Sequence, residues 1–318
     1  MAFKRIEVAV GVLSRRQPDH AGSKVLVAQR LVKDLYFEKW EFPGGKLEKG
    51  ESPFSALCRE LGEELEIDVL KALPLIRLDH NYPDRHVRLH VFEVNDFSGI
   101  PHGKEGQAIQ WVQPQECSRL DFLEANKPIV DAVLLPKLIL ITDIAKYGLE
   151  QTLTRIDDLQ QSQGSLIIQL RENTSDTVLL NLYKTKIEQL LKHESFLILN
   201  GEPSLAQELG FSGVQLSSKI ASRVTKRAEI KVPWVGASCH ESSELRHAEK
   251  IADFALLSPI QATTSHPNES PKGWNFFKTH AQEAALPVYA LGGLSTHDFK
   301  NARLNQAQGV AILSAAWG

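Results

Sequence analysis

Glu60, Glu63 and Glu64 are spaced as i, i+3 and i+4, so a helix would stand three carboxylates on one face. Ser52 followed by Pro53 supplies the start of that helix, because Ser caps an N-terminus and Pro suits the first turn. Like charges so close repel by roughly a few tenths of a kcal/mol per pair unless a cation sits among them. Hard divalent ions such as Mg²⁺ take carboxylate oxygens and bridge to substrate phosphates. Taken alone, the same pattern also describes an acidic face turned to solvent.

The flanking residues separate the two readings. Glu41-Phe42-Pro43-Gly44-Gly45-Lys46 comes just before, and Gly44-Gly45 permits backbone approaches that side chains would block. Glu51 follows Gly45 by six positions and Arg59 follows Glu51 by eight. The combined pattern (Gly, five residues, Glu, seven residues, Arg-Glu-apolar, any residue, Glu-Glu) resembles the Nudix box. That family hydrolyses nucleoside diphosphates linked to another group, using Mg²⁺ or Mn²⁺. One position departs: Glu66 stands where the box has Gly before its final apolar residue. A left-handed helix exit there would cost Glu about 1 kcal/mol, an effect on local stability rather than on chemistry.

The likeness extends to the MutT branch, which hydrolyses oxidised guanine nucleotides, and covers nearly all of residues 4–131. Tyr82-Pro83-Asp84-Arg85-His86 is similar to its Pro-Asp-Arg-His segment. Gly103-Lys104-Glu105-Gly106-Gln107 is similar to the loop that adds a metal-binding carboxylate, and Ala125-Asn126-Lys127-Pro128 to the segment that reads the base. The resemblance implies nucleotide contacts at Arg30, Phe42, Lys46, Arg85 and Asn126. An Asn amide offers both a donor and an acceptor to a base edge. Phe42 would offer a flat apolar surface, and the two arginines would bond the base or a phosphate. Singly, Asn126 also reads as a turn residue and Phe42 as core. The His that this branch places before its Glu-Phe-Pro-Gly-Gly turn is Leu35 here.

The resemblance further implies metal ligands at the Gly44 carbonyl, Glu60, Glu63, Glu64 and Glu105. Glu60 or Glu105 would activate the attacking water, and Arg59, among the catalytic residues, would pair with Glu51 to orient helix and loop. The implied reaction splits a nucleoside triphosphate, 8-oxo-dGTP first among them, into monophosphate and pyrophosphate. Hydrolysis of another nucleotide is the neighbouring reading.

These residues need a scaffold. With 318 residues the length suggests two domains. Hydrophobic residues at 42% and charged ones at 24% suit a soluble globular chain, and a net charge of −3 offers no basic field for duplex nucleic acid or an anionic membrane. No run approaches the ~18 apolar residues of a membrane span. Met1-Ala2-Phe3-Lys4-Arg5 lacks the apolar core of a signal peptide. Cys58, Cys117 and Cys239 form neither a disulfide framework nor a metal-spaced cluster, which is consistent with a reducing cytoplasm.

In residues 1–133, Ile6–Val10 and Lys24–Ala28 read as strands around a polar loop with Asp19, Gly22 and Ser23. His86–Phe92 alternates polar and apolar as a half-buried strand, its histidines belonging to an exposed face or to a ligand set. Strands followed by one carboxylate-bearing helix predict an α+β sandwich.

Residues 137–318 contain eight short apolar runs: 138–142, 166–170, 196–200, 213–216, 234–238, 254–257, 288–291 and 310–313. Helix-length segments such as Lys184–Leu191 and Ser243–Ile251 separate most of them, which predicts an α/β TIM (β/α)8 barrel. Gly292, Gly293 and Ser314 fall where such barrels hold a phosphate, although two glycines equally make a tight turn. The last run is followed by only a few residues, so the 122–134 segment or a second copy of the chain is expected to cover its edge, the latter as a homodimer through the barrel.

This half resembles thiamine phosphate synthase and its TenI-type relatives through Leu140-Ile141-Thr142-Asp143, Ile168-Gln169-Leu170-Arg171, Gly213-Val214-Gln215-Leu216 and Ala290-Leu291-Gly292-Gly293. The synthase's charged residues are mostly missing. Its Asn-Asp site reads Asn200-Gly201, its second metal Asp is Ile220, and its Lys is Asn173. The phosphate loop reads Thr263-Thr264-Ser265-His266, and the TenI proton-transfer His is Pro259. A pyrophosphate without that countercharge is poorly held. No synthase activity is expected, and the barrel reads as a phosphate-ligand sensor, a diverged enzyme or a structural partner. His240 is either a site residue or a packed core histidine.

Overall fold

Leu57, Leu61 and Leu65 recur every four residues along helix α1 (Pro53–Leu65), and all three are fully buried. Removing each from water contributes about 2 kcal/mol. Ser52 Oγ accepts the Ser55 N–H at 3.1 Å and Pro53 opens the first turn, as the sequence indicates. The helix leaves through Glu66, whose φ of 56° and ψ of 44° are left-handed. Its N–H donates to the Gly62 carbonyl at 3.2 Å. Glu thus holds a conformation that glycine adopts with less strain. The protein, seen here in a computed structural model, is described over residues 5–16, 23–32, 35–83, 85–192, 194–263 and 270–317. Asp19, Gly22, Asp84, Thr264, Ser265 and His266 lie outside these.

Contacts divide the chain into Met1–Leu134 and Leu135–Gly318. The first unit is built on β1 (Arg5–Arg16), β2 (Ser23–Gln29), β3 (Trp40–Glu41), β4 (Gly44–Lys46), β5 (Asp68–Tyr82), β6 (Arg85–Ser98) and β7 (Ile109–Val112). The main path runs β3-β2-β1-β6-β5, with β4 beside β1 and β7 beside β2. β1 is parallel to β6, from Arg5 opposite His86 to Leu13 opposite Val94. Val87, Leu89 and Val91 of β6 are buried in the expected alternation. A Cβ on Gly11 of β1 would lie 2.9 Å from a Leu61 methyl, so the bare backbone lets α1 settle onto the sheet. β4 pairs with Val8–Val10 of β1, which brings the glycines under the same helix. Helix α2 (Lys127–Leu134) closes the unit. The arrangement is the α+β architecture expected.

In the second unit each apolar run becomes a strand: β8 (Leu138–Ile141), β9 (Leu166–Leu170), β10 (Phe196–Asn200), β11 (Gly213–Leu216), β12 (Trp234–Cys239), β13 (Phe254–Leu257), β14 (Val288–Leu291) and β15 (Gly309–Ile312). They close a parallel barrel in the order β10-β11-β12-β13-β14-β15-β8-β9. Between them run α3 (Ile144–Tyr147), α4 (Leu149–Gln163), α5 (Thr177–Glu188), α6 (Pro203–Glu208), α7 (Ser218–Ala221), α8 (Ser242–Ile251), α9 (Gly273–Ala281) and α10 (Phe299–Leu304). The interior packs Ile139, Ile167, Ile198, Phe254 and Tyr289. A Cβ on Gly236 would come 2.2 Å from Gln215 Oε1 and 2.6 Å from the Phe254 ring, so this glycine makes room for both. Below the ring of strands, Tyr289 Oη donates to the Pro136 carbonyl, and Gln308 Nε2 to that of Leu135 at 3.2 Å.

One helix differs from its expected span. The Lys184–Leu191 segment belongs to α5, which begins at Thr177 because Asp176 Oδ1 accepts the N–H groups of Val178 and Leu179. It ends at Glu188, before Leu191. After β15 a single turn of 3₁₀ helix, Ser314–Ala316, leads to Trp317, whose ring stacks on Tyr147 at 5.0 Å. Cys117 and Cys239 are buried and Cys58 is half-buried, all three as free thiols. Among the described residues no helix is long and apolar enough to cross a membrane.

Candidate active site

Arg59 organises the polar face of α1. Its Nε and Nη2 donate to the two carboxylate oxygens of Glu51 at 3.1 and 3.0 Å, the paired geometry that suits guanidinium and carboxylate. Nη2 also donates to the Lys46 carbonyl at 3.0 Å, tying helix to β4. Nη1 reaches Glu60 Oε1 at 3.0 Å and Glu63 Oε2 at 3.1 Å. The Arg59 hydrogen bonds hold the Glu51 carboxyl below its ordinary range.

Gly44 and Gly45 are required by close approach. Gly44 has φ 144°, and a Cβ there would lie 2.1 Å from the Ala9 carbonyl oxygen. A Cβ on Gly45 would lie 2.2 Å from the Glu60 carboxylate. The Gly44 N–H donates to Glu64 Oε2 at 3.1 Å.

The three carboxylates do share a helix face, but their side chains diverge. Glu60 and Glu63 turn to Arg59, Glu64 turns to Gly44, and Glu63 is exposed. Among the described residues no three acidic, histidine or cysteine side chains are gathered as a ready cation site. The reason is local: a guanidinium and a backbone N–H already answer these oxygens. The donor set still suits a hard divalent ion. Burial pushes the Glu64 carboxyl up to about 8 against the relief of the Gly44 bond, and the charges of Glu41, Glu60 and Glu105 push the same way. Burial likewise raises Glu60, against the Arg59 hydrogen bond. Ionising these carboxyls together is costly, and a bound cation would relieve that cost.

The loop carrying Glu105 is fastened to the end of α1. Lys104 N–H donates to the Glu64 carbonyl at 3.0 Å and His102 N–H to that of Leu65 at 3.2 Å. Gln107 donates from Nε2 to the Glu64 carbonyl and accepts the Glu105 N–H on Oε1, both at 2.9 Å. Helix carbonyls that would otherwise lack partners are thus satisfied by this loop. The sequence carries Gln107 inside the loop that resembles the carboxylate-bearing one but gives it no role; the fold makes it the clasp between that loop and α1.

A cleft of ≈300 Å³ gathers Arg30, Phe42, Lys46, Arg85, Glu105 and Asn126 with the wall formed by Gly44, Gly45 and Glu64. Phe42 is 2% exposed, with its ring 5.5 Å from that of Phe122, so it is largely packed into the core beneath the cleft. Its N–H donates to Asn126 Oδ1 at 3.3 Å. Asn126, itself buried, therefore spends on the backbone the acceptor expected to face a base. Arg30 Nη1 lies 3.5 Å from Glu41 Oε1. The Arg85 guanidinium stands 5.1 Å from the Tyr82 ring centroid and 6.0 Å from that of Tyr36. Tyr36 and Glu41 line the cleft and carried no signal in the sequence beyond their place near Gly44-Gly45.

The barrel holds a second cavity of ≈330 Å³ at the carboxyl ends of its strands, and Gly292, Gly293 and Ser314 all line it. Gly292 and Gly293 have φ of 106° and 68°, and a Cβ on Gly293 would lie 2.4 Å from the Ala262 carbonyl oxygen. Gln169 Nε2 donates to Asn200 Oδ1 at 3.2 Å. His240 lines the cavity and is half-buried, with Nδ1 3.2 Å from the Ser258 carbonyl, so it is both packed and at the site. Among the described lining residues Arg171 is the sole arginine or lysine, and no carboxylate is present. Glu172 turns away: it accepts from Thr142 Oγ1 at 2.7 Å and from the Ile144 N–H at 3.0 Å, anchoring the start of α3.

Comparison with known proteins divides at the same place. Residues 13–132 match the family model described as NUDIX domain, and residues 138–316 the one described as Thiamine monophosphate synthase. The 8-oxo-dGTP diphosphatase of Escherichia coli (strain K12) is 34% identical over 128 residues, 40% of this chain and 95% of that protein. The CTP pyrophosphohydrolase of the same organism is 34% identical over 132 residues, 42% of this chain and 93% of that protein. The putative thiamine-phosphate synthase 2 of Aquifex aeolicus (strain VF5) is 35% identical over 183 residues, 57% of this chain and 97% of that protein.

Proposed function

Because the chain belongs to the NUDIX family through its first domain and to the thiamine monophosphate synthase family through its barrel, we propose that it hydrolyses nucleoside triphosphates in the first domain, with 8-oxo-dGTP as the preferred substrate. Its first domain is a Nudix hydrolase of MutT type. Removing an oxidised guanine nucleotide from the cytoplasmic pool before replication keeps it out of DNA, which makes the activity one of mutation avoidance.

The observation that carries this reading is the company Glu64 keeps. A carboxyl whose ionisation is disfavoured chiefly by burial lines the same cleft as Arg30, Lys46, Arg85 and Asn126, groups suited to phosphates and a base. Glu60, Glu63, Glu64, Glu105 and the Gly44 carbonyl would hold Mg²⁺ or Mn²⁺. Such an ion, once bound, neutralises phosphate oxygens and lowers the pKa of water. Glu60 or Glu105 takes the proton of the attacking water. Water oxygen bonds to phosphorus as the bond to pyrophosphate breaks, giving a nucleoside monophosphate. Arg59 keeps Glu60 and Glu51 in register with β4, and Arg30, Arg85 and Lys46 hold the substrate.

A pyrophosphate-release screen over normal and oxidised nucleotides, CTP included, tests the proposal with Mg²⁺ and with a chelator. Release is expected to be fastest from 8-oxo-dGTP and absent with chelator. Release from no triphosphate would overturn the reading.

For the barrel we propose loss of synthase activity: Gly201, Ile220 and Asn173 stand where the resemblance expects charged residues. The cavity with Arg171, Gly292, Gly293 and Ser314 favours a second reading, a module that binds a phosphate ligand in the same chain as the hydrolase. Assay of thiamine phosphate formation by the full chain separates the two, since any turnover removes the first statement.

A further inference from the structure

Tyr36 sits in a turn spanning residues 35–38 that is firmly built. Arg30 N–H donates to the Lys39 carbonyl at 3.0 Å, Glu38 N–H to that of Arg30 at 3.1 Å, and Gln29 Nε2 to that of Glu38 at 2.9 Å. Glu38 closes the turn with φ 66°. The turn presents the Tyr36 ring edge-on to Tyr82, with centroids 5.2 Å apart and planes at 63°. The Arg85 guanidinium stands near both rings, and His80 backs Tyr82 at 4.5 Å. Both tyrosines line the cleft that contains Glu64, and exposed Leu31 and Val32 line it beside them. The carboxylates come from α1 and the loop after β6, whereas this aromatic group comes from the turn before β3 and the β5–β6 hairpin.

We infer that Tyr36 is a specificity-determining residue, the outer wall against which the nucleotide's base lies, and that it selects the wide face of a purine over a pyrimidine. This rests on the nucleotide-hydrolase reading. A base stacks on an aromatic face in proportion to the ring area it offers, so a bicyclic base gains more than a single ring. The Arg85 guanidinium held against the same rings adds a cation to this wall. Tyr82 ends a long strand, whereas Tyr36, equally half-buried, sits on a turn and can be replaced without disturbing the sheet. The relatives include an 8-oxo-dGTP diphosphatase and a CTP pyrophosphohydrolase at equal identity, so the choice of base must lie in such local residues.

The test uses the full chain with Tyr36→Ala, Tyr36→Leu and Tyr36→Phe, each checked for an unchanged thermal midpoint. KM and kcat are measured for dGTP, 8-oxo-dGTP and CTP, and binding of dGMP and CMP by titration calorimetry without turnover. Tyr36→Ala and Tyr36→Leu are expected to raise KM for the purines about tenfold and that for CTP less than about twofold, with the effect on KM rather than kcat. Tyr36→Phe should restore purine binding. Equal changes for purine and pyrimidine, or none, overturn the inference while wild-type turnover leaves the hydrolase reading standing. If the wild type releases pyrophosphate from no triphosphate, that reading falls and the inference with it.

Discussion

Arg59 and Glu51, eight residues apart, meet through two parallel hydrogen bonds of 3.1 and 3.0 Å that join the middle of α1 to the loop before it. The same guanidinium bonds the Lys46 carbonyl and Glu60, so one side chain sets the distance between the helix and the glycine strand. Replacing Glu51 by Gln breaks one charge of this fork. Turnover should fall roughly tenfold to a hundredfold while nucleotide KM changes little, the mark of a positioning residue. Steady-state kinetics on Glu51→Gln check it.

Glu63 is exposed and, among the described residues, bonded on one oxygen to Arg59, so its loss should hardly touch the fold. Glu63→Gln is expected to lower turnover by orders of magnitude and to keep the thermal midpoint within a few degrees. Wild-type activity in that variant would remove Glu63 from the proposed ion-binding set.

Glu64 predicts a dependence on pH. Its carboxyl titrates at about 8 in the folded chain against an ordinary 4.5, with burial the largest cause. An acid raised on folding stabilises the fold in full below its unfolded pKa, and that contribution is lost as pH rises toward the folded value. In chelator, wild type should lose midpoint relative to Glu64→Gln as pH goes from about 5 to about 8. Added Mg²⁺ should recover the wild type most at the upper end and leave Glu64→Gln nearly unmoved. Melting series on both proteins, with and without Mg²⁺, decide it.

Glu66 occupies a left-handed position, where Gly carries no Cβ penalty. Glu66→Gly should stabilise the first domain by about 1 kcal/mol, a rise of a few degrees in the midpoint. The exposed contact with His102 at 3.1 Å offsets little of this. An unchanged or lower midpoint would mean that the exit is held by something other than its backbone.

Much of this architecture was legible from periodicity. The eight apolar runs coincide with the strands because a parallel barrel buries both faces of each, and a fully apolar run is what such burial requires. The start of α1 was legible because a cap acts over three residues. The carboxylate spacing correctly put Glu60, Glu63 and Glu64 on one face, yet spacing is silent on which long-range partner each side chain chooses. Arg59 and the Gly44 N–H made that choice. Resemblance assigns Phe42 and Asn126 to a substrate, and only the folded chain reveals that they also bond each other across 84 positions. Tyr36 and Gln107 act through turns and backbone carbonyls, where no repeat or charge pattern marks them.

The knot of Lys104, Gln107 and the closing carbonyls of α1 makes the Glu105 loop an extension of the helix rather than a separate flap. Anyone transplanting the carboxylate helix into another scaffold would have to carry residues 102–107 with it. Left behind, they would leave the graft with a fraying end and one acid short.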